Sequence, residues 1–168
     1  MIKILGITAL IACTSLIGYH AALKLLMRKN FFENYISFLE FTKAQISFTS
    51  VAFLNILEKF SPKDDFAIFF NHLKEELKQK KETSIAWEKT ILENKNIFGL
   101  KKSDISTICE FGKEIGTTDT KNQLNLCDTH IHFAKEYLRD ATIQKKQSSR
   151  LYVSLGIWSG LAISLLFF

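Results

Sequence analysis

Two long stretches without a charged residue, one near each end of the chain, constrain the fold more than any other feature. Residues 4–23 form twenty such positions, and residues 151–168 form eighteen. Because a helix rises about 1.5 Å per residue, either stretch could cross a hydrocarbon layer of about 30 Å. The sequence therefore predicts an N-terminal transmembrane helix at residues 1–26, a C-terminal one at residues 151–168, and a separate domain at residues 27–150.

The positive charge of the chain is concentrated beside these two stretches. The formal net charge is +5, yet residues 30–144 hold seventeen acidic side chains against fifteen basic ones. The seven other basic residues flank the apolar stretches: Lys3, Lys24, Arg28, Lys29, Lys145, Lys146 and Arg150. A nucleic-acid-binding protein needs a broad basic face for phosphate contacts. The acidic middle segment lacks such a face, so we expect no nucleic acid as a partner.

Six of these basic residues are expected on one side of a membrane. Three follow the first stretch and three precede the second: Lys24, Arg28, Lys29, Lys145, Lys146 and Arg150. Basic residues next to a span stay on the cytoplasmic side, which also argues against a cleaved secretory signal. The sequence therefore predicts that residues 27–150 lie in the cytoplasm. It also predicts that the six basic residues contact anionic membrane lipids, at about 1 kcal/mol each.

The first stretch leaves one alternative open, which is lipidation of Cys13. The residues Leu10-Ile11-Ala12-Cys13 resemble the cleavage site of a lipoprotein signal. However, the apolar region before them would be only about six residues long, shorter than signal peptides use. The apolar run also continues for ten residues past Cys13. A membrane-buried cysteine is therefore the preferred interpretation.

The pattern of residues 30–150 predicts helices throughout. Apolar residues recur there at steps of three and four, and no Asn-Gly or Asp-Gly hairpin turn occurs. The expected helix caps are Ser61, Thr83 or Ser84, Ser103, and Thr118 or Asp119. Pro62 favours a helix start, Gly116 favours a helix end, and nothing interrupts the last helix before Phe168. The expected fold is all-α, with an antiparallel cytoplasmic bundle of about six helices between the two transmembrane helices.

Small residues recur every four positions in both apolar stretches. They are Thr14, Gly18 and Ala22 in the first, and Gly156, Gly160 and Ser164 in the second. Small residues at this spacing let the backbones of membrane helices approach closely. We therefore expect the two rows to pack, either on each other or on partner helices.

Residues 127–132 contain the most suggestive cluster of metal-binding residue types. Cysteine, aspartate and histidine occur there as Cys127, Asp128, His130 and His132. On a helix His132 points away from the other ligands, and a structural zinc site needs four. A core cysteine beside surface histidines is preferred, and a metal-binding membrane enzyme is the less favoured alternative. Since no phosphate-binding or hydrolase motif occurs, we expect no enzyme activity, catalytic residue, metal or cofactor.

Short motifs spread over the whole chain resemble a known family. They are Lys3, Leu5 and Gly6; Gly18 and Tyr19; Leu39 and Glu40; Ile46 and Phe48; Ala86, Trp87 and Glu88; Phe111, Gly112, Gly116, Asp119 and Gln123; Ser154, Leu155 and Gly156; Gly160 and Leu161. In this pattern the chain resembles stage III sporulation protein AB, a membrane component of a channel complex in endospore-forming bacteria. The most specific motif runs from Phe111 to Gln123, and the chain departs from the family pattern at residues 49–51.

The resemblance implies a function that the residues alone do not show. It implies a scaffold subunit of the channel between mother cell and forespore, located in the mother-cell membrane that faces the forespore. The cytoplasmic domain is similar to that of type II secretion platform proteins, so a platform of a secretion or pilus-like system is an alternative. The implied partners are other channel subunits, including a cytoplasmic secretion-type ATPase. Further copies of the chain are also considered as partners, and the motif residues are interpreted as architectural.

Overall fold

The protein is helical throughout the part of the chain that the structure describes. This computed structural model describes the backbone of residues 2–49, 53–79 and 82–167, without the side chains of residues 2–5, 7, 10, 49, 149 and 164–167. Its six helices are α1 (Ile2–Thr49), α2 (Phe53–Lys59), α3 (Phe66–Lys78), α4 (Thr83–Asn94), α5 (Lys102–Glu114) and α6 (Thr120–Phe167). The predicted all-α fold is confirmed for these residues, whereas the two transmembrane helices stay a prediction.

Two of the helices are much longer than the rest. α1 and α6 each contain 48 residues. α1 continues across the predicted boundary at residue 26, because residues 19–49 contain neither glycine nor proline to interrupt it. Within the described ranges, no helix is both long enough and apolar enough to cross a membrane.

The start of α3 differs from the sequence-based prediction. The pattern Ser61-Pro62 predicted a start there, but α3 begins at Phe66. The backbone of Asp64 has a φ of 50°, which lies in the left-handed region and is incompatible with a right-handed helix. The amide of Phe66 donates a hydrogen bond to the carbonyl oxygen of Lys63, and that of Ala67 to the carbonyl oxygen of Asp64. A tight turn therefore occupies the predicted first turn of the helix.

The chain divides into two compact units. One consists of Met1–Lys29 with Asp140–Phe168 and is called the helix pair below; the other consists of Asn30–Arg139 and is called the bundle. α1 and α6 each contribute residues to both units. The bundle falls within the predicted domain, residues 27–150.

The core of the bundle is built around aromatic rings. Trp87 is fully buried, and its ring centroid lies 5.1 Å from that of Phe69 and 5.7 Å from that of Phe111. Its indole Nε1 donates a 2.9 Å hydrogen bond to the carbonyl oxygen of Ile108, so its only polar atom is satisfied. Phe38, also fully buried, contacts the same cluster from α1. These contacts hold α1, α3, α4 and α5 on one apolar centre.

The close contact between α4 and α5 depends on Gly112. A Cβ atom at this position would overlap the Cδ1 and Cγ atoms of the Trp87 ring and lie 2.9 Å from its Cβ. The ring is held by its hydrogen bond to Ile108 on α5 and by its aromatic neighbours, so it has little room to move away. Gly112 therefore sets the distance between the two helices.

We predict that Gly112→Ala destabilises the bundle. At an exposed helical position this change stabilises a protein by about 1 kcal/mol. Here the overlap with Trp87 should reverse the sign, because overpacking a filled core costs about 1–3 kcal/mol. Urea unfolding of the purified chain measures the change. Ser106→Ala, at an exposed site on the same helix, is the matched control and should alter stability by less than about 0.5 kcal/mol. Unchanged or increased stability of the glycine variant would contradict the steric argument.

Candidate packing and interaction sites

Small residues lie where α1 and α6 approach closely within the helix pair. A Cβ atom at Gly156 would lie 2.7 Å from the carbonyl oxygen of Thr14, and one at Gly160 would lie 2.5 Å from the Oγ1 atom of Thr14. A Cβ atom at Gly18 would overlap the carbonyl oxygen of Tyr152. Since higher numbers on α6 meet lower numbers on α1, the two helices run antiparallel.

These contacts bring most of the two predicted rows together inside the molecule. Ala22 is buried as well, whereas the side chain of Ser164 lies outside those described. Glycine at the contact leaves the backbones no side chain to separate them, as in closely packed membrane helices. Thr14 and Gly18 of the first row therefore lie against the other helix, as do Gly156 and Gly160 of the second.

An ion pair joins the two helices at another level of the helix pair. The Nη1 atom of Arg28 donates a 2.9 Å hydrogen bond to the Oδ2 atom of Asp140. The second carboxylate oxygen of Asp140 accepts a 2.8 Å hydrogen bond from Nε2 of Gln144. Arg28 is only 2% exposed, whereas the side chain of Asp140 is 45% exposed. Because a slip of α1 along α6 would separate the buried guanidinium from this carboxylate, the pair favours one register.

The burial of Arg28 differs from its expected exposure at a membrane surface, whereas the lipid contact itself stays a prediction. Arg28 was expected at the membrane surface, but its side chain is buried against α6 and paired with Asp140. The charge pattern missed this because Asp140 lies 112 residues away in sequence. The other five basic residues remain candidates for surface contact. Lys24, Lys146 and Arg150 are exposed, and Lys29 and Lys145 are half-buried.

The motif from Phe111 to Gln123 shapes the turn between α5 and α6. Gly116 follows the last turn of α5 with a φ of 82°, a left-handed conformation that favours glycine. Asp119 caps α6, because its Oδ1 atom accepts a 2.8 Å hydrogen bond from the amide of Asn122. The Nε2 atom of Gln123 donates a 2.7 Å hydrogen bond to the carbonyl oxygen of Thr118. Each polar motif residue therefore has a structural task in the turn.

Two other predicted caps are displaced by one or two residues. Glu82 occupies the cap position of α4, and its carboxylate accepts a hydrogen bond from Ser84. Lys101 occupies that of α5, where the carboxylate of Asp104 accepts a 2.9 Å hydrogen bond from the Lys101 amide. The hydroxyl residues were expected to cap these helices, but carboxylates lie at both helix starts.

His130 differs from its predicted place on the surface. It is only 4% exposed, and its ring lies 5.3 Å from that of Phe111 in an edge-to-face arrangement. Its Nδ1 atom has no hydrogen-bond partner among the described residues. Cys127 is buried as predicted and His132 is exposed. Among the described residues no three histidine, cysteine, aspartate or glutamate side chains come together as a metal site.

Burial changes the ionisation of several groups in this part of the core. It raises the pKa of Cys127 to about 12, with the nearby Asp128 carboxylate adding to the effect. Burial likewise raises the pKa of Cys109 to about 11, aided by Glu88. Both thiols therefore stay protonated near neutral pH and are poor nucleophiles. Burial lowers the pKa of His130 below its ordinary value of 6.5, against the opposing effect of Glu110.

Two clefts on the bundle were not predicted from the sequence. The first, of about 530 Å³, lies between α2 and α3. The second, of about 360 Å³, is lined by Gly112, Gly116 and Gln123 among others, and shares Leu54 and Thr83 with the first. Periodicity gave no sign of either cleft, because both depend on how neighbouring helices meet.

Comparison with known proteins identifies a family that the chain matches over almost its whole length. The model of the family described as stage III sporulation protein AB matches residues 3–168. No curated protein and no solved structure matches the chain. The family match extends over residues of both the helix pair and the bundle.

We predict that Asp140→Leu destabilises the helix pair more than the double change Arg28→Met with Asp140→Leu. The single change removes the Asp140 carboxylate that pairs with the buried guanidinium, at a cost of up to about 3 kcal/mol. The double change removes both charges and should recover part of that loss. Thermal unfolding of the four members of this double-mutant cycle measures the coupling. Additive effects would show that the pair does not act as a unit.

We also predict that stability falls on acidification because of His130. The unfolded chain binds a proton on this side chain near pH 6.5, whereas the folded chain binds it only at lower pH. The free energy of unfolding should therefore decrease as the pH falls below 6.5 and should not change through this residue above it. His130→Leu should flatten this dependence between about pH 7.5 and pH 5. His132→Leu, at an exposed site, is the control and should leave the profile as it is.

Proposed function

Because the chain belongs to the stage III sporulation protein AB family, we propose that it is a non-enzymatic platform subunit of the channel complex between mother cell and forespore. In this proposal the helix pair is embedded in the mother-cell membrane that faces the forespore. The bundle lies in the mother-cell cytoplasm and binds other channel subunits, including a secretion-type ATPase. The proposed role in sporulation is supported by the family membership. The proposed location in a membrane is supported by the surface of the helix pair.

The helix pair has its small residues inside and large apolar residues outside. Gly18, Gly156 and Gly160 face the neighbouring helix. Ile17 is 70% exposed and Trp158 is 68% exposed. Contiguous exposed apolar surface marks an interaction with a membrane or another protein. This inside-out distribution supports an environment of lipid around the pair.

The charges of the helix pair support a cytoplasmic bundle. Since α1 and α6 run antiparallel, Lys24, which follows the apolar part of α1, and Arg150, which precedes that of α6, lie at the same end of the apolar stretches. Lys146 is exposed one turn before Arg150 on α6. Basic residues beside a span favour the cytoplasmic side. Arg28 contributes less to this argument than the sequence indicated, because Asp140 neutralises it.

The polar motif residues support a scaffold and not a catalyst. The side chains of Trp87, Asp119 and Gln123 each form a hydrogen bond within the bundle. The two buried thiols have raised pKa values, which makes them unreactive. A rigid bundle with satisfied polar groups suits a subunit that positions partners.

We predict that a cysteine placed on the bundle is shielded from reagents outside the cell. Ser106→Cys lies on an exposed part of α5. In vegetative cells that express the chain, the far face of the membrane is open to the medium. A membrane-impermeant maleimide should label Ser106→Cys there only after the membrane is permeabilised, and should label Phe168→Cys in intact cells. Both variants also carry Cys13→Ser, because Cys13 is exposed. The chain with Cys13→Ser alone is the control, because its Cys109 and Cys127 are buried and protonated. Labelling of Ser106→Cys in intact cells would overturn the proposed orientation.

The platform role requires a second experiment. Full-length protein used as bait in sporulating cells should recover sibling channel subunits and a secretion-type ATPase. Recovery of neither, from cells in which the bundle is shown to be cytoplasmic, would reject the platform role and leave the orientation intact.

A further inference from the structure

The cleft between α2 and α3 has two walls with the same spacing of side chains. Leu54, Leu57 and Glu58 line it from α2, and Lys74, Leu77 and Lys78 line it from α3. On each helix the three residues lie at positions i, i+3 and i+4, which share one face. Leu57 is fully buried at the base of the cleft, whereas Leu54 is 48% exposed. The cleft is therefore an apolar trough with charged residues along its edges.

The charged residues at the edges of the cleft are not neutralised by any residue that the structure describes. Lys74, Lys78 and Glu58 make no ion pair with any residue in the described ranges. By contrast, Lys89 on α4 is paired with Glu76 and Glu93, and Lys113 on α5 with Glu88. Like charges one turn apart repel each other by a few tenths of a kcal/mol. An incoming carboxylate near Lys74 and Lys78 would remove this repulsion.

We infer that this cleft binds an amphipathic helix of another protein that presents leucine-like side chains to the trough and two carboxylates to Lys74 and Lys78. A helix laid into an apolar groove uses anchors at i, i+3, i+4 and i+7. Carboxylates four residues apart on that helix lie about 6 Å apart, which matches lysines at i and i+4 on α3. Glu58 on the opposite wall favours a basic residue there, so the charges select both partner and orientation.

This inference rests on the proposed scaffold role only in that a scaffold needs a docking surface. The exposure of Leu54 costs free energy unless a partner covers it. A second copy of the chain is a different occupant, and it is distinguished by the experiment below. All residues that line the cleft belong to the bundle, so binding of a peptide to the cleft can be measured whatever the orientation of the chain in the membrane.

The experiment measures binding of a defined synthetic helix to the purified full chain. The probe is a fluorescein-labelled peptide with leucines at helical spacing and glutamates four residues apart along one edge. Its control is the same peptide with lysine in place of each glutamate. Fluorescence anisotropy is recorded with the chain in phospholipid discs, because detergent monomers would fill an apolar cleft. The acidic peptide should bind in the micromolar range, and the basic peptide at least roughly tenfold more weakly.

Charge reversal in the protein then identifies the cleft. Lys74→Glu with Lys78→Glu should weaken binding of the acidic peptide by roughly tenfold or more and should strengthen binding of the basic one. Lys63→Glu with Lys121→Glu changes the net charge by the same amount at exposed positions outside the cleft and should leave both affinities unchanged. All four substitutions are at residues outside the buried core, and circular dichroism checks that the variants fold.

Three results would overturn the inference. The first is the absence of acidic-peptide binding to the wild-type chain. The second is an equal effect of the two charge-reversed variants, which would make the attraction nonspecific. The third is self-association of the full chain that Leu54→Glu abolishes, which would assign the cleft to a second copy. None of these results bears on the cysteine labelling that tests the orientation of the bundle.

Discussion

The bundle depends on a contact between the indole ring of Trp87 and the backbone at Gly112. The ring fills the space that any larger residue at 112 would need. Its one polar atom bonds to Ile108 on the same helix as Gly112, so the ring is fixed to α5 on two sides. Phe38 on α1 and Phe69 on α3 pack on the same ring. The spacing of four helices therefore depends on one side chain. This contact also positions α5, and the turn with Gly116 and the cleft that it lines lie at the end of α5.

In the helix pair, glycine residues also permit a close approach of two helices, but without an aromatic ring at the contact. Glycine backbones on α6 approach Thr14 on α1, and the pair of Arg28 with Asp140 limits sliding. Close approach alone would tolerate several registers, since small residues repeat every four positions. A buried charge accepts only the register that supplies its partner. The structure therefore combines weakly selective packing with one selective polar contact.

Local patterns were enough to predict the all-α fold, the helical course of the middle segment, and the buried Trp87 and Cys127. They failed wherever the environment of a residue is set by a distant part of the chain. Arg28 carries a charge beside an apolar stretch, and only the fold reveals its carboxylate. His130 lies in a polar run of sequence, and only its contact with Phe111 shows that it is buried. The clefts were missed for the same reason, because periodicity describes one helix at a time and a cleft needs two.

The use of the glycine rows inside the helix pair limits how the protein can associate with others. The backbone at Gly156 and Gly160 packs on Thr14. While these contacts are made, a neighbouring subunit cannot pack on the same surface. In the proposed membrane, exposed apolar side chains such as Trp158 would then make the contacts with neighbouring subunits. Such side chains gain little by leaving lipid for another apolar surface. Selective recognition is therefore better supplied by the bundle, where burial from water is favourable. There Lys74 and Lys78, which pair with no residue in the described ranges, can select a partner by charge.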